Sequence, residues 1–528
     1  MPHSGAGHPS APSPMEPQVT NEKAASLSER TVSAAQWRLV ASIVQGGMQF
    51  AVGVLLARLL APADFGVVAL AMVVIGFAGA ISDFGLEAAV IQRRDLTERH
   101  LRAAFTASVA VGLGLAAGLA LASPFSGFVL ESSILPGVLQ TLALVFAIGA
   151  LGGTSRSLLR RELRFKALFW TGAVSYLVGY AGVVTVLALR GFGAWSLVWG
   201  ALTQAALESF LVMAVVRPPL RPLVARRELG ELFGFGAGVS MNSVVNYLAR
   251  NGDNVIVGAW LGPAALGLYG RAYNLMTLPL NYLGVAAHQV LFPAMAEIQQ
   301  DRERVGRAYL LSVQISALTA APIMAGMAVA APHMVTALYG PRWGGMTIPL
   351  QLLCAAGLLR AIYHLAGSVT YAAGFVYAEL RRQVVYAVLV VIGAVVGTRW
   401  GVPGVALGVF AAIAYMYVAM ASLALRIVGR GWKDFLMAQL PGVLVGALVG
   451  AAALLVRTGL EGAGYASGWI FAALLATCAL AVPAAVFLLP DAVRPAGLFE
   501  RFDSMLKRLP SPLHNAAIRI LHLQRVAP

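Results

Sequence analysis

Residues 59–71 read LLAPADFGVVALA, and residues 260–272 read WLGPAALGLYGRA. Leu60, Pro62, Ala63 and Gly66 of the first stretch fall on Leu261, Pro263, Ala264 and Gly267 of the second, at a constant offset of 201 residues. Carried back along the chain, the same offset sets Ser42 on Ser243, Gln45 on Asn246 and Gln49 on Arg250. Turn residues and polar helix positions repeat together, which predicts two copies of one structural unit.

The surrounding composition fixes the medium in which those copies fold. Of 528 residues, 59% are hydrophobic and only 12% are charged, with a mean hydropathy of +0.76; soluble domains carry about 25% charged residues. Apolar runs recur from Gln36 to Leu489, each near the length of about 20 residues that carries a helix across a bilayer. The composition therefore predicts an all-α polytopic membrane protein. We read 14 spans, at residues 36–57, 65–87, 102–123, 133–155, 167–189, 194–216, 232–250, 264–290, 306–331, 346–373, 383–398, 403–425, 435–456 and 467–489.

Charge tests that reading, because Lys and Arg accumulate in cytoplasmic loops. The connections from even to odd spans hold 21 of them and those from odd to even spans hold six, which predicts both termini in the cytoplasm of a multi-pass protein. The net charge of +15 comes from short clusters between apolar runs without interleaved aromatics, a pattern that argues against nucleic acid. Cys354 and Cys478 lie inside apolar runs, and no disulfide framework is expected. Residues 1–33 read as a disordered cytoplasmic tail. Residues 491–528 read as a basic cytoplasmic tail whose amphipathic segments suit an anionic membrane surface, or equally a plain solvated tail.

Six spans, an even number, separate the two copies of the repeat. The halves are therefore expected to be parallel repeats about an axis along the membrane normal: an N-terminal lobe at 34–228 (spans 1–6) and a C-terminal lobe at 229–428 (spans 7–12), followed by spans 13 and 14 at 429–490. Three spans carry polar stripes at helical spacing: Arg38, Ser42, Gln45 and Gln49; Ser243, Asn246, Arg250 and Asp253; and Arg271, Asn274, Asn281 and His288. Such stripes either join helices by hydrogen bonds or line a shared aqueous cavity. Arg271, roughly 13 Å below the outer end of its span at about 1.5 Å per residue, and Arg360, near Tyr363 and His364, are costly in a membrane without a partner or a function. Each reads as a structural ion pair or a substrate contact, and Glu208, the deep acid of span six, can pair with either. Glu208, Asp253 and His364 are also the candidates for ion coupling.

The chain holds no G-x-x-x-x-G-K-S/T loop, no H-E-x-x-H and no Cys/His cluster, so neither ATP chemistry nor a metal or other cofactor is expected. Short outer links leave little room for a catalytic domain, and no enzymatic activity is expected.

Residues 54–105, with "LARLLAPADFG" and "DFGLEAAVIQR", and residues 251–280, "NGDNVIVGAWLGPAALGLYGRAYNLMTLPL", resemble the polysaccharide transporter family of lipopolysaccharide and exopolysaccharide export proteins, within the multidrug/oligosaccharidyl-lipid/polysaccharide flippase superfamily. The resemblance implies two six-helix lobes around a central cavity lined by spans 1, 2, 7 and 8. It also implies alternating access that carries an undecaprenyl-diphosphate-linked oligosaccharide across the bacterial inner membrane, with membrane lipids, a polysaccharide polymerase and export machinery as partners. On that reading Arg250, Arg271 and Arg360 hold the diphosphate, since Arg contacts phosphate oxygens with charge-assisted, bidentate bonds. Gln45, Gln49, Asn246, Asn274 and Asn281 meet sugar hydroxyls. An ion-coupled drug antiporter of the same superfamily is the alternative, and a polytopic glycan enzyme is a third. Asp83 and Glu87, one helical turn apart, fall near the inner mouth, and the repeat offset sets Glu87 on His288; the three are candidate gate residues.

Overall fold

The structure is a computed structural model and describes residues 42, 44–82, 90, 91, 93, 95–130, 133–218, 221–225, 247, 251–297 and 301–488. Both expected tails, Asp83, Glu87, Asn246 and Arg250 lie outside the described residues, as does the side chain of His288.

Among the described residues the chain is helical, with no strand. The helices run in the expected order: α1 (Val44–Leu59), α2 (Pro62–Ser82), α3 (Glu98–Leu130), α4 (Leu135–Arg161), α5 (Phe165–Leu189), α6 (Ala194–Val215), α7 (residues 251–261), α8 (Gly262–Glu297), α9 (Arg302–Leu338), α10 (Thr347–Ala372), α11 (Val376–Gly397), α12 (Gly401–Val428), α13 (Trp432–Gly462) and α14 (Ser467–Leu488). Eleven stretches are long and apolar enough to cross a membrane. That is fewer than the 14 expected spans because α7 and α8 read as one stretch, α11 and α12 read as another, and α1 is short. Gly262 and Gly401, at φ +83° and +67°, break those two stretches, a conformation that side-chain-bearing residues rarely adopt.

Local chemistry sets the ends. Pro62 follows Ala61 at the start of α2, where its missing N–H costs nothing, and Asp64 Oδ2 accepts from the Ala61 N–H at 2.9 Å. Asp301 caps α9 by accepting from the backbone N–H groups of Glu303 and Arg304 at 3.1 and 3.0 Å. That cap starts α9 four residues before the expected span.

In lipid, apolar burial gives helices little reason to associate, so close backbone approach carries much of the packing. α13 lies along α9 through Gly442, Gly446 and Gly450, which face Ala317, Ala321 and Ala325. α11 and α12 approach through Gly397 against Gly404 and Gly393 against Gly408, where an added methyl would sit 2.2–2.9 Å from the facing carbonyl oxygens.

The basic links gather at one end of the bundle. Arg102 reaches Arg221 O at 3.0 Å, Arg161 reaches Val90 O at 2.8 Å, and Arg302 reaches Ile427 O at 2.6 Å. Each of these bonds joins connections from even to odd spans, the alternation that the charge pattern requires.

At the other end the two halves of the chain meet. A methyl on Gly66 would lie 1.6 Å from Pro263 O, and one on Gly267 would lie 1.9 Å from Pro62 O. These are the repeat positions, each touching its counterpart's neighbour, and such reciprocity is what a two-fold relation between similar units produces. Around this contact the buried Trp343 donates from Nε1 to Ala57 O at 2.8 Å. Arg58 donates to the carbonyls of Ala337 and Leu338 at the C-terminus of α9, the latter at 2.9 Å, and Phe65 meets Trp343 edge-on at 5.5 Å. Elsewhere between the halves, Tyr247 donates to Val73 O at 3.0 Å and fills the space over Gly76.

Candidate functional site

Beyond this seal a cavity of about 640 Å³ lies between α1, α5 and α8. Ser42, just before α1, and Gln45 and Gln49 of α1 line it on one side, and Arg271, Asn274, Thr277 and Asn281 line it from α8. Five of the sequence-predicted residues therefore share one space: Gln45, Gln49, Arg271, Asn274 and Asn281. Residues three, four and seven apart share a helix face, so once α1 and α8 face each other both stripes must meet.

Among the described residues that line it, Arg271 is the cation. Its guanidinium lies over the Phe65 ring at 4.1 Å, and Nη1 would stand 3.2 Å from a methyl at Gly53. The first contact stabilises the charge through the ring quadrupole, and the second shows that the glycine at residue 53 lets the guanidinium lie close against α1. Among the described residues no carboxylate lines the cavity or forms an ion pair with Arg271. A half-buried guanidinium among neutral amides can receive an anion with several oxygens.

Three expectations change. Arg360 does not line the cavity. It donates to the Tyr273 hydroxyl and lies over the Tyr273 ring at 5.6 Å, within electrostatic reach of Tyr363, Tyr386 and Asp253. α10 packs on the side of α8 away from α1, so its arginine is satisfied inside the C-terminal half. Glu208 pairs with neither Arg271 nor Arg360 but with Arg156 at 3.3 Å, because α6 packs on α4. Asp253, the described member of the third stripe, does not line the cavity either: it is buried and accepts from the Tyr269 hydroxyl at 2.5 Å. His364 is exposed and stacks on Tyr363 at 4.7 Å.

The cavity's tyrosines were not singled out from the sequence: Tyr176 and Tyr180 of α5, and Tyr339 after α9. The first two stand four residues apart in "SYLVGYAG", a helix-face aromatic pair that was legible, but nothing in the sequence placed α5 beside α1 and α8.

A family model described as polysaccharide biosynthesis protein matches residues 55–348. The chain belongs to this family. The match runs from α1 into α10 and takes in both repeat junctions and Arg271. Among family relatives the chain is 28% identical over 389 residues to the lipopolysaccharide biosynthesis protein WzxC of Escherichia coli (strain K12), covering 72% of this chain and 78% of that one. It is also 28% identical over 308 residues to the succinoglycan biosynthesis transport protein ExoT of Rhizobium meliloti (strain 1021), covering 58% and 62%. The fold is that of lipid II flippase MurJ in its inward closed conformation, with a TM-score of 0.66 at 14% identity over 84% of this chain and 97% of that one. An inward-facing multidrug resistance MATE family transporter shares it less closely, with a TM-score of 0.55 at 17% identity over 75% and 93%.

Proposed function

We propose that this polysaccharide biosynthesis family member is a flippase that carries an undecaprenyl-diphosphate-linked oligosaccharide across the bacterial inner membrane for surface or exopolysaccharide synthesis. The observation that carries this reading is the cavity between α1 and α8, where Arg271 stands among neutral amides with no carboxylate beside it among the described residues. That lining suits a diphosphate and the sugars next to it. It suits the antiporter alternative poorly, since a drug cation would call for a buried acid in the same space. The names of WzxC and ExoT, a lipopolysaccharide biosynthesis protein and a succinoglycan biosynthesis transport protein, point the same way.

With both termini in the cytoplasm, the seal at Gly66, Pro263 and Trp343 faces outward and the cavity belongs to an inward-facing state. Rocking of residues 34–228 against residues 229–428 about that seal supplies alternating access. Coupling to an ion gradient falls to Asp253, the one buried carboxylate among the described residues, in the Tyr269, Tyr273 and Arg360 network. The polymerase and export machinery that use the glycan are the expected partners.

Deletion of the gene tests the reading. It is expected to remove surface polysaccharide and leave a lipid-linked glycan on the cytoplasmic leaflet, and Arg271→Ala should reproduce this with the protein still in the membrane. Loss of polymer without any lipid-linked intermediate would refute it.

A further inference from the structure

Tyr176 and Tyr180 take no part in the anion site around Arg271, yet both line the same cavity. They sit on a π-helical stretch, Ser175–Gly182, within the otherwise α-helical α5. π-helical turns are rare and concentrate at functional sites. The two rings stack on each other at 5.3 Å with planes 19° apart.

α6 holds this stretch in place. Gly179 is buried with its Cα so near the α6 backbone that a methyl would lie 2.9 Å from Gln204 Cα, and a methyl on Gly200 would lie 3.3 Å from Tyr180 Cδ2. The backbone of this stretch and the Tyr180 ring are therefore held against α6 before any ligand arrives, which lowers the side-chain entropy lost on binding against the pair.

An aromatic face is the negative side of a quadrupole. It can attract a cation, an aliphatic chain or the C–H face of a sugar ring. A cation is disfavoured by Arg271, which lies within electrostatic reach of both tyrosines, and among the described residues no carboxylate in the cavity offsets it. An aliphatic chain is disfavoured by the opposite walls, where Gln45, Gln49, Asn274 and Asn281 would be left unpaired against it. A pyranose satisfies both sides at once. Its C–H face can lie on the open face of the stacked pair, while its rim of hydroxyls, each a donor and an acceptor, matches side-chain amides that offer both senses.

We propose that Tyr176 and Tyr180 form the stacking platform for the pyranose ring next to the diphosphate, so that α5 recognises the glycan while Arg271 recognises the charge. This inference rests on the flippase reading above.

The test uses the full-length protein in nanodiscs and two kinds of probe: bare undecaprenyl diphosphate, and undecaprenyl-diphosphate monosaccharides carrying glucose, galactose or N-acetylglucosamine. The wild type is expected to prefer one of the sugar-bearing lipids by about tenfold, the size of effect that two aromatic contacts supply. In the Tyr176→Leu/Tyr180→Leu double variant that ratio should fall towards one, and in the Phe/Phe variant it should persist because the ring and not the hydroxyl does the stacking. Where the double Leu variant does not fold, single Tyr176→Leu and hydroxyl-radical footprinting of wild-type Tyr176 give the answer: the sugar-bearing lipid protects the ring and the bare lipid does not. A full sugar preference in the Leu variants, a Phe variant that behaves like Leu, or a wild type that binds bare and sugar-bearing lipids equally would each overturn the platform while leaving the flippase reading intact. A wild type that binds neither lipid would overturn the flippase reading itself.

Discussion

Gly66 packs directly against the carbonyl group of Pro263, close enough that a methyl on Gly66 would sit 1.6 Å from the oxygen. The contact joins the two halves of the chain at positions related by the internal repeat, and Gly267 returns it against Pro62. Gly66→Ala should therefore push α2 and α8 apart at the sealed end, since overpacking of this kind costs about 1–3 kcal/mol or more. Labelling of single cysteines engineered near residue 343 with a membrane-impermeant thiol reagent should rise in the variant. Unchanged labelling and unchanged thermal stability would show that the contact does not hold the seal.

Trp343 adds a polar lock beside it. Trp343→Phe keeps most of the buried ring but removes the donor to Ala57 O. A buried carbonyl left without its partner costs about 1–3 kcal/mol, and that cost falls only on the sealed state. The variant should populate the outward-open state more, again read by labelling, whereas Arg58→Ala, at an exposed site, should have a smaller effect.

Gly53 controls the position of Arg271 from the facing helix. Gly53→Val would crowd Nη1, which already stands 3.2 Å from a methyl placed there, and so should displace the guanidinium without unfolding α1. Export of polysaccharide should fall sharply while membrane abundance stays near wild type. Arg271→Lys should fall between wild type and Arg271→Ala, because an ammonium keeps the charge but loses the two-pronged geometry.

Asp253 and Glu208 should separate under the same substitution. Asp253→Asn keeps the size of the side chain and a carbonyl oxygen for the Tyr269 hydroxyl but removes the charge within reach of Arg360. Transport in vesicles should lose its dependence on an imposed ion gradient. Glu208→Gln breaks a half-buried pair with Arg156 and should lower thermal stability by about 1 kcal/mol, with the gradient dependence intact. The reverse pattern would move the coupling role to Glu208.

Much of the fold was legible in the sequence for reasons that belong to single helices. The length of an apolar run fixes whether a helix can span a bilayer, and alternation of Lys and Arg between links fixes which ends lie together. Arg102, Arg161 and Arg302 meet the links that this alternation requires. The repeat at Pro62 and Pro263 identified two similar units, and the stripes on α1 and α8 named five residues that do line one cavity.

What the sequence could not fix is which faces meet. Helical spacing tells which residues share a face, but the neighbour of that face depends on packing, and here packing is set by glycine contacts far from the stripes, such as Gly66 against Pro263. Arg271 and Arg360 look alike as arginines within apolar runs, yet one lines the cavity over the Phe65 ring and the other is held among tyrosines inside the C-terminal half. Glu208 was legible as a deep acid, but its partner was decided by the packing of α6 on α4. Tyr176 and Tyr180 were ordinary aromatic residues of a span until α6 fixed a π-helical stretch of α5 beside the cavity. The sequence by itself determined a two-copy helical membrane protein with a polar interior. Only the tertiary structure decided which polar groups share that interior, because a periodic pattern records the face of one helix and a cavity is made where the faces of several converge.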